Sequence, residues 1–218
     1  MDIQMNPLIL LAVVVAIALV VLILKVIISR IADRDFETPV QTKTKTKTKT
    51  KSKTSNALTL AENVIIVPGY GMAVAQAQHE AWELAGTLQA KGVQVRFAIH
   101  PVAGRMPGHM NILLDEAGVP HDLIFDMESI NDEFSSCDLA LVIGANDIVN
   151  PAIAEDTTSL NFGMPILEAG KARSVFIITR GQGDGFSGIE NLLFSDSKVQ
   201  LFPGDAKDVL QNLIDGLN

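Results

Sequence analysis

The segment best suited to chemistry is Gly69-Tyr70-Gly71-Met72-Ala73-Val74, which follows directly on the apolar run Val64-Ile65-Ile66-Val67. This is a G-x-G-x-x-V variant of the dinucleotide fingerprint. Gly69 permits a tight turn, Gly71 lets backbone approach a pyrophosphate, and a helix starting there offers unpaired N–H groups and a positive dipole end. Val74 stands where a smaller residue normally lets helix and strand pack closely. A glycine-rich strand-to-helix turn without any ligand has the same composition, so the motif alone leaves both readings open.

Three more polar, glycine-rich stretches follow apolar runs: His100 to Gly108, Gly144 to Pro151, and Arg180 to Gly188. In the first, Arg105 lies between Gly104 and Gly108 and is either a phosphate ligand or an exposed arginine. A nicotinamide dinucleotide in the usual orientation needs Asp or Glu at the end of the second strand, to hold a ribose hydroxyl. The chain reads Ile99-His100-Pro101 there instead. Any dinucleotide is therefore either a different one or differently oriented, and His100 can equally be a hydrogen-bonded structural histidine. In the second stretch, Asp147 at a strand end suits a ligand-facing carboxylate, or else an Asx turn or cap before Asn150-Pro151. His79, His109 and His121 lack metal-ligand spacing, and the single cysteine, Cys137, excludes an intramolecular disulfide and a Cys-rich zinc site.

The elements that must position these residues follow from periodicity. Strands are predicted at 64–67, 93–99, 122–125, 139–143, 174–178 and 199–202, each a short, nearly continuous apolar run. Helices are predicted over Ala73 to Lys91, Gly108 to Ala117 and Asp205 to Leu217, the last with Val209, Leu210, Leu213 and Ile214 facing inward. Such strands alternating with helices imply an α/β fold: a doubly wound, Rossmann-like parallel sheet of six strands. Ligands of such sheets sit beyond the carboxyl ends of the strands, where all the polar stretches fall.

Charge is segregated along the chain. Residues 1–56 hold nine Lys/Arg against four Asp/Glu, whereas residues 57–218 hold eight against twenty-one, together the net −8. The acidic part lacks the clustered cations a nucleic-acid binder needs, so no nucleic acid is expected as a partner. Leu8 to Leu24 contains only Ala, Val, Ile and Leu, and Val26-Ile27-Ile28 extends it past Lys25. As a helix, this stretch spans roughly the ~30 Å hydrocarbon core. No positive n-region or small-x-small cleavage site marks a signal peptide. Lys25, Arg30 and Arg34 place its C-terminal side in the cytoplasm, or in the matrix of an organelle. A single transmembrane anchor (1–30) is therefore predicted to precede the fold. The Lys-Thr repeat of 42–54 marks a disordered tether (31–60), and residues 61–218 form the folded domain. The lysines either attract anionic headgroups or serve as a plain spacer.

Several runs together carry a resemblance. Val64 to Gln78, Ile99 to Asn111, Leu141 to Ala152, Gly163-Met164-Pro165-Ile166-Leu167-Glu168 and Gly204-Asp205-Ala206-Lys207 resemble, in order, the third domain of proton-translocating nicotinamide nucleotide transhydrogenase. The resemblance covers about residues 60–218. It implies that the domain binds NADP(H), with the dinucleotide reversed relative to an ordinary Rossmann site, which accounts for the missing acid. It further implies direct hydride transfer to NAD(H) held on a partner domain or subunit, with no catalytic side chain. A proton-channel membrane domain would lie on another chain. By motif match, Gly69, Tyr70, Gly71, Met72, Ala73 and Val74 would lie along the pyrophosphate. His100, Val102, Ala103, Gly104 and Arg105 would lie nearby. Asn146 and Asp147, after Gly144 and Ala145, would face the nicotinamide end, and in the family that Asp couples nucleotide state to the membrane domain. The remaining cofactor contacts would come from Thr179, Arg180, Gly181, Gly185 and Phe186, and from Gly204, Asp205 and Ala206.

The match departs from the family after the fifth strand. There the family reads Lys-Arg-Ser-Met and then Gly-Tyr-Ala, with the Lys-Arg-Ser trio holding the 2′-phosphate. This chain has Thr179-Arg180-Gly181-Gln182, then Gly183-Asp184-Gly185-Phe186. Loss of the lysine removes a charge-assisted bond worth roughly 1.5–3 kcal/mol. Weaker NADP binding and reduced selectivity over NAD are expected, and a non-catalytic membrane-tethered dinucleotide sensor or a degenerate fragment stands as the alternative to an enzyme component.

Overall fold

The computed structural model describes residues 57–155, 163–181 and 185–217. Val64 to Val67 and Leu139 to Ile143 are fully buried without inside–outside alternation, as expected of strands covered on both faces. The six strands are β1 (Asn63–Pro68), β2 (Gln94–Ile99), β3 (Ile124–Asp126), β4 (Leu139–Ile143), β5 (Ser174–Thr179) and β6 (Val199–Pro203). All pair in parallel in the order β3-β2-β1-β4-β5-β6, the doubly wound arrangement the sequence implies. Val64 pairs with Val95 on one side and Leu139 on the other, so β1 is the centre from which the chain winds both ways. The third strand starts later than predicted, because His121–Leu123 close into a 3₁₀ turn after Pro120.

The helices are α1 (Tyr70–Ala75), α2 (Gln78–Ala90), α3 (His109–Glu116), α4 (Met127–Ile130), α5 (Pro151–Glu155) and α6 (Ala206–Asp215). The single helix predicted over Ala73 to Lys91 is two helices. Gln76 adopts a left-handed conformation (φ 53°, ψ 41°). Its N–H donates to the Ala73 carbonyl, and that of Ala77 to the Met72 carbonyl, the double bond of a Schellman cap. α6 ends two residues short of the prediction, and Asp205 caps its start by accepting the Lys207 N–H at 3.0 Å. Its Leu210, Leu213 and Ile214 are buried and Val209 is partly so.

Among the described residues, no helix is long and apolar enough to cross a membrane. The predicted anchor (1–30) lies outside the described residues, as does the Lys-Thr repeat. Residues 57–60 form a helical turn whose Leu58 is buried.

Candidate functional site

β1 and β4 are neighbours whose connections leave toward opposite halves of the sheet, so a crevice opens between the loops at their carboxyl ends. Those loops are stitched together. The Gly69 N–H donates to the Ile143 carbonyl at 2.9 Å, and the Gly71 N–H to that of Gly144 at 2.8 Å. A Cβ on Gly71 would sit 2.6 Å from Gly144 Cα. One on Gly144, whose φ is +62°, would sit 2.4 Å from Gly71 Cα. The sequence suggests that Gly71 lets backbone approach a pyrophosphate; in the structure a side chain there would meet the backbone of Gly144, while Gly71 itself lines the cavity beside it. α1 has six residues, and two N–H groups of its first turn, on Gly71 and Met72, are already bonded, the latter to the Gly69 carbonyl at 3.1 Å. Met72 itself is fully buried in the core, and Ala73 packs against it.

Beside this contact lies a cavity of about 550 Å³, within the range of small-molecule sites. Gly71 and Val74 line one wall, and Gly144, Ala145 and Asn146 another. Thr179, Arg180, Gly181 and Gly185 reach it from the loop after β5, and Gly204 and Ala206 from the turn after β6. Three of the four polar stretches, together with the turn after β6, therefore converge on one crevice. Backbone glycines and a guanidinium suit an anionic ligand with flat apolar parts, and the residues fit a dinucleotide on that ground. Among the lining residues Arg180 alone is cationic, and its Nη2 is 2.7 Å from Oδ2 of Asp205. The Thr179 hydroxyl donates to the Gly181 carbonyl at 2.7 Å.

The other predicted residues fall elsewhere. His100 and Ala103 line a second cavity of about 340 Å³, with Asn111, Asp126 and Glu128. His100 is buried; its Nε2 is 2.7 Å from the Pro165 carbonyl, and its Nδ1 accepts the Val102 N–H at 3.3 Å. That pattern fits the neutral ring with its proton on Nε2. Burial holds its pKa below the ordinary 6.5, against the opposing pull of the Pro165 carbonyl and the Glu128 carboxylate. Val102 is exposed. Gly104 (φ +101°) abuts the His109 ring, whose Nδ1 accepts the Arg105 N–H at 3.2 Å. The Arg105 guanidinium stacks 4.3 Å from the Tyr70 ring centroid, joining the loop after β2 to α1 by a cation–π contact.

Asp147 holds the loop after β5. Its Oδ2 accepts the N–H groups of Phe186 (2.8 Å) and Ser187 (3.0 Å), and its Oδ1 accepts the Ser187 hydroxyl at 2.7 Å. Gly185 (φ +66°) passes so close that a Cβ there would lie 2.3 Å from Asp147 Oδ1. Phe186, at 97% exposed, projects outward. The cap before Pro151, one reading of Asp147, belongs instead to Asn150, whose Oδ1 accepts the Ala152 N–H at 3.0 Å. Asp184 lies outside the described residues. Two residues here are not among the contacts expected from the sequence. One is Ser187; the other is buried Asn191, whose amide donates to the Asn146 carbonyl (3.1 Å) and to Asn146 Oδ1 (2.8 Å). No motif marks Asn191, while the glycines around Ser187 were the only signal for it.

With this geometry established, comparison with known proteins identifies relatives. Residues 8–216 match the family model described as NAD(P) transhydrogenase beta subunit. The NAD(P) transhydrogenase subunit beta of Rhodospirillum rubrum is 52% identical over 158 residues, covering 72% of this chain and 34% of the relative. The chain therefore spans about a third of that relative's length. Two solved structures share a looser likeness. One is a thiamine diphosphate-dependent 4-hydroxybenzoylformate decarboxylase of Rhodococcus jostii (TM-score 0.46, 16% identity, 82% of this chain and 29% of that one). The other is an exopolyphosphatase-related protein of Bacteroides fragilis (TM-score 0.45, 15% identity, 81% and 46%). The family-model match over residues 8–216, with the long, highly identical stretch behind it, leads to one conclusion: this chain belongs to the NAD(P) transhydrogenase beta subunit family.

Proposed function

We propose that this chain is the NADP(H)-binding component of a membrane NAD(P) transhydrogenase. It presents NADP(H) for direct hydride exchange with NAD(H) on a partner domain, and is coupled to proton translocation only with a separate membrane domain. The observation that carries this reading is the convergence of four loops on the crevice at the carboxyl ends of β1, β4, β5 and β6. When bound, the nicotinamide supplies the hydride. The chain's own part is positioning and exclusion of water. The backbone of Gly71 and Gly144 forms the floor, Arg180 takes the 2′-phosphate, and Asn146 and Asp147 stand toward the nicotinamide end. Asp147 also holds the 185–187 loop, of which Gly185 lines the cavity. Residues 1–30 would anchor the chain in one pass, with the nucleotide domain on the cytoplasmic or matrix side.

A non-catalytic dinucleotide sensor is the second reading, favoured by the Arg180–Asp205 pair and by a threonine in place of a lysine at 179. The full chain, loaded with NADPH and mixed with an NAD⁺-loaded partner domain from a relative, separates the two. Hydride exchange supports the enzyme component. Bound nucleotide with no exchange supports the sensor.

A further inference from the structure

The two carboxylate oxygens of Asp205 do different work. Oδ1 caps α6 through the Lys207 N–H at 3.0 Å. Oδ2 pairs with Arg180 Nη2 at 2.7 Å. Lys207, two residues on, is committed elsewhere, since its Nζ lies 3.1 Å from Glu80 Oε1. The one guanidinium on the crevice wall is thus already neutralised, by a residue whose chain neighbours Gly204 and Ala206 both line the crevice.

A phosphate monoester carrying about −1.5 to −2 charge must displace that carboxylate or bind beside it. The neutral hydroxyl of an unphosphorylated ribose meets no such competition. We propose that Asp205 is a specificity-determining residue: by occupying Arg180 it lowers discrimination in favour of 2′-phosphorylated dinucleotides. This inference rests on the dinucleotide reading of the crevice. Arg180 and Asp205 are 44% and 37% exposed, so the effect is a modest one, screened by salt.

Asp205→Asn separates the two jobs, because Asn caps helices as well as Asp does. Full-length wild type, Asp205→Asn, Arg180→Gln and the double variant, in detergent, are titrated calorimetrically with NADP⁺ and with NAD⁺ at low and high salt. The ratio of NADP⁺ to NAD⁺ affinity is expected to rise about five-fold in Asp205→Asn, a rise that shrinks at high salt. In the Arg180→Gln background the same change is expected to leave the ratio unaltered. A ratio that stays level or falls in Asp205→Asn, or that rises equally without Arg180, overturns the inference. Wild type that binds neither nucleotide overturns the crevice reading itself, which is a different result from binding with an unaltered ratio.

Discussion

Replacing Gly71 by Ala sets a local gain against a tertiary loss. Gly71 lies in α1 and its φ is not left-handed, so Ala fits the backbone and favours the helix by about 1 kcal/mol. Its Cβ, however, would stand 2.6 Å from Gly144 Cα and 3.0 Å from the Gly144 carbonyl oxygen, both backbone atoms that cannot rotate away. Pushing the two loops apart costs about 1–3 kcal/mol for overpacking and about 0.5–1.5 kcal/mol for the strained Gly71–Gly144 hydrogen bond. The tertiary loss wins by about 0.5–3.5 kcal/mol, which lowers the unfolding midpoint by roughly 1–14 °C for a domain of this size. Gly86→Ala is the matched control. It is also a glycine within a helix, but a Cβ there meets nothing within 4 Å, so only the gain of about 1 kcal/mol remains. Thermal unfolding of the full chain without nucleotide, followed by circular dichroism, reads both. If Gly71→Ala unfolds at or above the wild-type temperature, Gly71 is not held by the loop contact, and the glycine serves only a ligand.

Asp147→Ala should free the loop after β5. Amide hydrogen exchange at Phe186 and Ser187 is expected to speed up at least about ten-fold, since Phe186 loses one charge-assisted bond and Ser187 two, through its N–H and its hydroxyl; unchanged exchange would mean the loop is held by other contacts. The lowered pKa of His100 makes stability pH-dependent with a definite sign. The unfolded chain takes up a proton near 6.5 while the folded chain resists it, so stability is present above 6.5 and is lost as pH falls from there toward the folded pKa. His100→Asn should flatten that part of the profile in urea unfolding, and a slope identical to wild type would contradict the assignment. Burial pushes the Cys137 thiol up to about 11. Iodoacetamide at pH 8 should therefore label it only after denaturation, with labelling of the native chain as the contrary result.

The sheet was legible because its strands are buried on both faces, and unbroken apolar runs such as Ile65-Ile66-Val67 and Leu139-Ala140-Leu141 leave little else to form. The break at Gln76 was not. Its left-handed conformation lacks the glycine or asparagine that usually announces one. The apolar spacing of Ala77, Ala81, Leu84 and Leu88 also carries on as if the helix were continuous. The polar strand ends were legible as a group, since position after a strand is a sequence property. Their sorting was not: Arg105 stacks on Tyr70, His100 points to Pro165, and only part of the expected set shares the larger cavity. Such partners come from segments tens of residues away, and spacing along the chain carries no record of them. Asn191 shows the limit, for its importance lies wholly in reaching Asn146 from 45 residues on.

The most direct test of the account is calorimetric titration of the full chain with NADP⁺ and NAD⁺. Saturable binding of one NADP⁺ per chain is expected, lost in Gly144→Val, whose side chain would drive into the loop contact that forms the crevice floor. Preference over NAD⁺ should be weak, because Thr179 supplies no charge and Arg180 is shared with Asp205. Absence of any saturable binding would contradict the proposed function, and tight binding with strong NADP⁺ preference would contradict the reading of the loop after β5.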